Sequence, residues 1–230
     1  MSELGNEIIF AVLATAIMTV YHIVLWRVGR GRPGRTTLGR HRLARNAWVA
    51  VIVAEKQDIL AVQTLRNWST AASFLASAAI LMSLGVLNTA FTTERATALS
   101  HSLNFLGSSN EGLWLVKLLL LFAVLMFSFF CFSLTIRAYN HVAFMVSLGR
   151  SPDYPLTAQQ IGIELNHGGA LYAYGMRSLY LTVPMVAWLF GPVWIVIGTL
   201  LMLGGLYFVD YPRHADQPSL PVTAPHPQNP

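Results

Sequence analysis

From residue 69 to residue 87 the chain carries no charged side chain, and it enters that run through a stretch, 55–68, that holds neither glycine nor proline. Such a passage predicts one helix that starts among polar groups and then crosses hydrocarbon, since about 20 apolar residues span a bilayer core about 30 Å thick. Nothing between Glu55 and Leu84 marks a break, so the helix is expected to run through without interruption. Its lower half has no clean polar face. At roughly 100° per residue, Glu55, Val62 and Arg66 share one side with Asp58 nearby, while Lys56, Gln63 and Asn67 share another. Leu60, Ala61, Leu65 and Trp68 are interleaved between them. A helix that is polar all round is most simply packed among partners that satisfy it, which makes this stretch the expected functional centre.

Three further runs reach spanning length, and with 54% apolar and only 11% charged residues the chain cannot cover a soluble surface. The expected fold is an all-α integral membrane protein, a four-transmembrane-helix bundle with additional cytoplasmic-side helices. Its spans fall at about 7–26, 69–87, 113–136 and 179–209, with inner loops 27–68 and 137–178, in a single membrane domain over 1–210. Glu3 and Glu7 stand where a signal peptide would carry basic residues, so the first run is expected to remain as an anchor. Six prolines after Tyr211 and no apolar periodicity predict a disordered tail over 211–230. The single Cys131 lies in the third run, so no intrachain disulfide is expected.

The basic residues set the expected orientation. Arg27, Arg30, Arg32, Arg35, Arg40, Arg42, Arg45, Lys56 and Arg66 precede the second run, and Arg137, Arg150 and Arg177 follow the third, which gathers twelve of the fifteen Lys and Arg on one side. Four spans then put both termini on the outer face of the cell membrane. The segment 29–37, with three arginines, suits anionic lipid headgroups, each charge contributing about 1 kcal/mol of attraction. No aromatic side chains alternate with those arginines, so nucleic acid is not expected. Residues 38–54 read as an amphipathic helix along the inner face, its apolar stripe formed by Leu43, Ala47, Val51 and Ala54. Ala71, Ala72, Ala76, Ala79 and Ser83 let other backbones approach the second span, which is therefore expected to be the most buried. The bulkier third and fourth spans are expected outside it. Pro184 and Gly191-Pro192 are expected to kink the fourth.

The chemistry-bearing side chains gather at the expected inner level. Glu55, Asp58, Arg66, Asn67, Arg137, Asn140 and Arg177 form a candidate binding cluster, in which Arg66 is expected to make a buried pair with Glu164. His22, His141, Glu164 and His167 are candidate metal ligands, because Glu-x-x-His is the ligand unit of carboxylate-bridged two-metal bundles. Those bundles carry the unit twice and this chain carries it once. Ionic pairing of Glu55, Asp58 and Glu164 with Arg45, Arg66, Arg137 or Arg177 accounts for the same residues. No nucleophile motif, phosphate loop or cofactor fingerprint is present, so no cofactor is specified. The favoured reading is a structural or accessory component of the inner membrane with a polar cytoplasmic-face platform, serving a membrane protein partner or a homo-oligomer. A small-solute transporter acting as an oligomer and a metal-dependent membrane enzyme are the alternatives. A pocket is expected between the central helix and the 139–180 segment.

Leu60-Ala-Val-Gln-Thr-Leu-Arg-Asn67, Arg137-Ala-Tyr-Asn140 and Gly175-Met-Arg-Ser-Leu-Tyr180, continuing through Pro184 to Trp188-Leu-Phe-Gly-Pro192, resemble the membrane proteins of the domain of unknown function 599 family. The resemblance covers roughly residues 7–211. It implies a multi-span membrane protein and no particular activity, and His141 is not a residue that the family pattern requires.

Overall fold

The computed structural model describes residues 3–31, 33–91, 110–148 and 156–211. These form six α-helices: α1 (Glu3–Gly31), α2 (Thr37–Glu55), α3 (Asp58–Phe91), α4 (Glu111–Leu148), α5 (Ala158–Leu189) and α6 (Pro192–Asp210). Four of them, α1, α3, α4 and α6, are long and apolar enough to cross a membrane. Residues 92–109, most of the connection between the expected second and third spans, and 212–230, most of the expected tail, lie outside the described residues.

The long helices pack as a row in the order α3, α4, α5, α6, α1, each against the next, with α2 laid across one end against α5. The most enclosed helix is α4 rather than the small-residue α3, which corrects the expected order of burial. Ala61, Ala72, Ala76, Ala79 and Ser83 of α3 and Gly168, Gly169 and Gly175 of α5 are all buried. Small side chains on both flanks form grooves, and α4 fills them with Leu121, Leu125, Phe132, Tyr139 and Val142. A Cβ on Gly175 would stand 2.9 Å from the Phe132 ring, and one on Gly168 would stand 2.9 Å from the Tyr139 ring. The outer face of α3 instead presents Phe74 and Leu81 outward.

The stretch expected to be one helix is broken. α2 ends at Glu55, and Lys56 takes the left-handed conformation, φ 57° and ψ 39°, with its N–H on the Ile52 carbonyl. α3 then starts at Asp58, an acid well placed at a helix N-terminus. A left-handed non-glycine residue costs about 1–2 kcal/mol. Packing offsets it: the turn lays Val49 and Ile52 of α2 against Ala61 and Leu65 of α3 in one cluster with Tyr139, Val142, Ile161 and Leu165. The face of α2 that carries Leu43 and Val51 points outward, and the opposite side enters the core.

The run 179–209 is also not one span. α5 passes through Pro184 and stops at Leu189, and Gly191, at φ 134°, reverses the chain before Pro192 opens α6. Only glycine adopts that φ readily, and proline suits the first turn of a helix. α6 returns antiparallel to α5, so close that a Cβ on Gly198 would lie 2.9 Å from the Pro184 Cα. α5 in turn lies antiparallel to α4. Lys117 Nζ donates to the Trp188 carbonyl at 3.1 Å, Ser178 Oγ to that of Val124 at 2.9 Å and Ser128 Oγ to that of Gly175 at 2.9 Å. Residues 168–189 of α5 thus flank an apolar length of α4 of about 30 Å, the thickness of a hydrocarbon core. Consequently the start of α1 and the end of α6 lie at opposite ends of the bundle along its helix axes. Glu7 meets Lys117 at one end, and Tyr21 meets Asp210 toward the other.

Candidate functional site

The row curls, and its concave side encloses a cavity of about 1360 Å³ lined by every helix except α3. Its walls are apolar: Met18 from α1, Leu120, Val124 and Phe127 from α4, Leu181 from α5 and Leu206 from α6. Its floor is polar and lies where α2 crosses the row. His22 and Arg30 of α1, Arg42 and Arg45 of α2, Asn166, His167 and Arg177 of α5 and Asp210 of α6 line it. Four arginines against one aspartate give the lining a formal charge of +3 with the histidines neutral.

Local structure holds these groups in place. Thr36 caps α2 by accepting the Gly39 N–H, and Thr157 forms a capping box with Gln160 that opens α5. Arg45 Nε donates to Asn166 Oδ1 at 2.9 Å, and Asn166 Nδ2 donates to Asn46 Oδ1 at 2.6 Å. The guanidinium lies against Gly169, where a Cβ would fall 2.6 Å from Arg45 Cζ, so the glycine makes its seat. Burial pulls the Arg45 guanidinium below its ordinary pKa, and the Arg42 charge acts in the same direction, against Tyr139. Burial, then Arg45 and Arg40, likewise lower His41. Arg177 Nη2 donates to Asp210 Oδ1 at 2.7 Å, and the Tyr21 hydroxyl donates to Asp210 Oδ2 at 2.7 Å. The other terminal nitrogen of Arg177, Nη1, is buried and has no hydrogen-bond partner.

At the opposite end a buried lock joins three helices. Lys117 Nζ of α4 lies 2.9 Å from Glu7 Oε1 of α1, and Trp188 Nε1 of α5 donates to Glu7 Oε2 at 2.7 Å. Lys117 Nζ also sits 5.1 Å from the Trp188 ring centroid. Below this strut α1 and α4 are not a packed pair, which leaves the cavity open sideways between them.

Of the residues singled out in the sequence, Arg177, His22 and His167 line the cavity. Glu55, Arg66, Asn67, Arg137, Asn140 and His141 lie on outward faces, and Asp58 and Glu164 are half-buried. Arg66 is therefore no member of a buried pair with Glu164, because the continuous helix assumed for it is broken at Lys56 and its side chain turns away from the core. Glu55 accepts from the Gln57 amide beside it. The candidate metal ligands do not come together: among the described residues no three His, Cys, Asp or Glu side chains form a set that could hold an ion. His22 Nδ1 instead bonds the Met18 carbonyl of its own helix at 2.8 Å. Glu7, Tyr21, Arg42, Arg45, Lys117 and Asp210 were missed as members of these networks. Glu7 and Asp210 carried a signal, each being an acid at the edge of an apolar run.

No curated protein and no solved structure matches the chain. A family model described as "Protein of unknown function, DUF599" matches residues 9–215, and the chain belongs to that family.

Proposed function

We propose that this is a cell-membrane protein that crosses the bilayer five times, through α1, α3, α4, α5 and α6, and serves as an accessory component whose basic chamber opens at the cytoplasmic headgroup level. The observation that carries the proposal is the chamber itself, apolar along its walls and with a net +3 at the end where α2 crosses. Antiparallel packing of α5 on α4 over about 30 Å supports a fifth crossing, although Arg177 and a polar lower half make α5 the least apolar of the five. An odd number of crossings puts the N-terminus outside and the end of α6 inside. It also keeps eleven of the twelve basic residues of the two arginine-bearing segments on the cytoplasmic side, Arg177 lying within the α5 crossing itself. The Glu7–Lys117–Trp188 lock closes the far end of the chamber, which favours binding over conduction. The chamber replaces the helix around Arg66 as the centre of the platform.

Cysteine labelling tests the sidedness, because Cys131 is the only cysteine and is buried. In a Cys131→Ser background, Ser147→Cys should react with a membrane-impermeant maleimide in inverted vesicles only, and Glu111→Cys in intact cells only. A reporter fused after Pro230 should be active in the cytoplasm. Labelling of Ser147→Cys in intact cells, or a fusion active only outside, overturns the proposal.

A further inference from the structure

We infer that the chamber binds one anionic phospholipid, its phosphate held by Arg42, Arg45 and Arg177 and its acyl chains laid along the α4 wall. The inference rests on the proposed function and names the ligand of that same site. Three features carry it. The first is size and zoning. At about 1360 Å³ the cavity exceeds the roughly 300–1,000 Å³ usual for small-molecule sites, and it separates an apolar zone from a cationic one along its length. A sugar phosphate or nucleotide would leave its polar body against Leu120, Val124 and Phe127, whereas an amphiphile matches both zones.

The second feature is the donor set. Guanidinium forks match phosphate oxygens in planar, paired hydrogen bonds. Arg177 spends Nη2 on Asp210 and keeps part of its side chain, 19% exposed, in the lining, while Arg42 stands exposed at the floor. Asp210 is already engaged by Tyr21 and Arg177 and offers no counter-charge to a choline or ethanolamine ammonium. A zwitterionic lipid would thus bring its cation among arginines, and an anionic one would not. The third feature is access. Because α1 and α4 are bridged by the Glu7–Lys117 pair at the far end but do not pack below it, a lipid of the surrounding leaflet enters sideways with its phosphate already at the level of α2.

The test is native mass spectrometry of the full chain, purified and delipidated in a non-ionic detergent, titrated with phosphatidylglycerol, phosphatidylcholine and, separately, inorganic phosphate. One phosphatidylglycerol per chain should be retained, at least tenfold more tightly than phosphatidylcholine. Arg42→Gln should weaken it several-fold, and Arg42→Gln with Arg45→Gln tenfold or more. Ala123→Trp, at a small residue of the α4 wall, should weaken lipid binding while leaving the arginines intact; if that variant does not fold, the exposed Arg42→Gln decides. Millimolar inorganic phosphate should not displace the lipid. Equal retention of both lipids, or many adducts that every variant keeps, overturns the inference in favour of lipids merely surrounding the protein. Displacement by inorganic phosphate together with a harmless Ala123→Trp overturns it in favour of a free-anion site. These failures are distinct from failure of the proposed function, because labelling of Ser147→Cys reads sidedness whatever the chamber binds.

Discussion

Lys117→Met tests whether the lock at the closed end is a structural element in its own right. Lys117 and Glu7 are 5% and 1% exposed, so the exchange leaves the Glu7 carboxylate buried, with the Trp188 Nε1 donor at 2.7 Å and no cation. Breaking a buried pair from one side costs about 3–5 kcal/mol, because the remaining charge keeps its desolvation penalty and loses its compensation. For a chain of this size, 1 kcal/mol moves the midpoint by about 2–4 °C, so a drop of about 6–20 °C is expected. Glu7→Leu alone should cost a similar amount, since it strands the ammonium against the Trp188 carbonyl. The double variant is the informative one. Replacing both charges with apolar groups of similar size is neutral or stabilising by up to about 4 kcal/mol in comparable cases, and here it also gives up two hydrogen bonds to Trp188, worth about 1 kcal/mol each. It should therefore recover most of the loss. Thermal unfolding of the four proteins in one detergent gives the cycle. The reasoning is refuted if either single variant keeps the parent midpoint, or if the double variant loses the sum of the two single losses.

Arg177→Leu should strand Asp210, which would keep only the Tyr21 hydroxyl, and lower the midpoint by a comparable amount; Arg177→Lys should lose less, and equal losses would show that charge is not what matters there. Gly175→Ala should cost about 1–3 kcal/mol in the same assay, because its Cβ meets the Phe132 ring at 2.9 Å and that ring is fully buried; an unchanged midpoint would mean that α4 and α5 separate more easily than their packing implies.

Apolar runs and arginine-bearing segments were legible in the sequence because they depend on composition over many residues, and the family because its motifs stand in order along the chain. Two single-residue conformations were not. Lys56 turns left-handed with no glycine to announce it, and its reward comes from contacts between Ile52 and Leu65 that no local pattern encodes. Gly191-Pro192 was read as a kink, yet the run 179–209 is too long for one span, and that excess was the available signal for a hairpin. The rank order of burial failed for a related reason. Small residues show that another backbone comes close, but not that the helix bearing them is central; α3 supplies the groove and α4 fills it. The ion pairs were not legible because their partners lie at different depths and far apart in sequence. The partners of Arg177 and Lys117 were acids 33 and 110 residues away, at the edges of apolar runs.

The chamber and the ion pairs have a common origin in the way α1 is attached. α1 packs mainly on α6, where Ile17, Met18 and Tyr21 meet Met202, Leu203 and Leu206, and most of its surface faces outward. A helix with so narrow a packed face gains little from dispersion contacts. Polar pins take a larger share of its fixation: Glu7 to Lys117 and Trp188 at one end, Tyr21 to Asp210 toward the other. One pin ties α1 to α4 at a single level and the other ties it to α6, so the space between α1 and α4 below Glu7 stays unfilled, whereas continuous packing would close it. The same geometry explains why the floor is basic. With Asp210 taken up by Tyr21 and Arg177, the arginines of α2 that cross below α1 meet no carboxylate of the lining, and their field is left to act on whatever enters from the side.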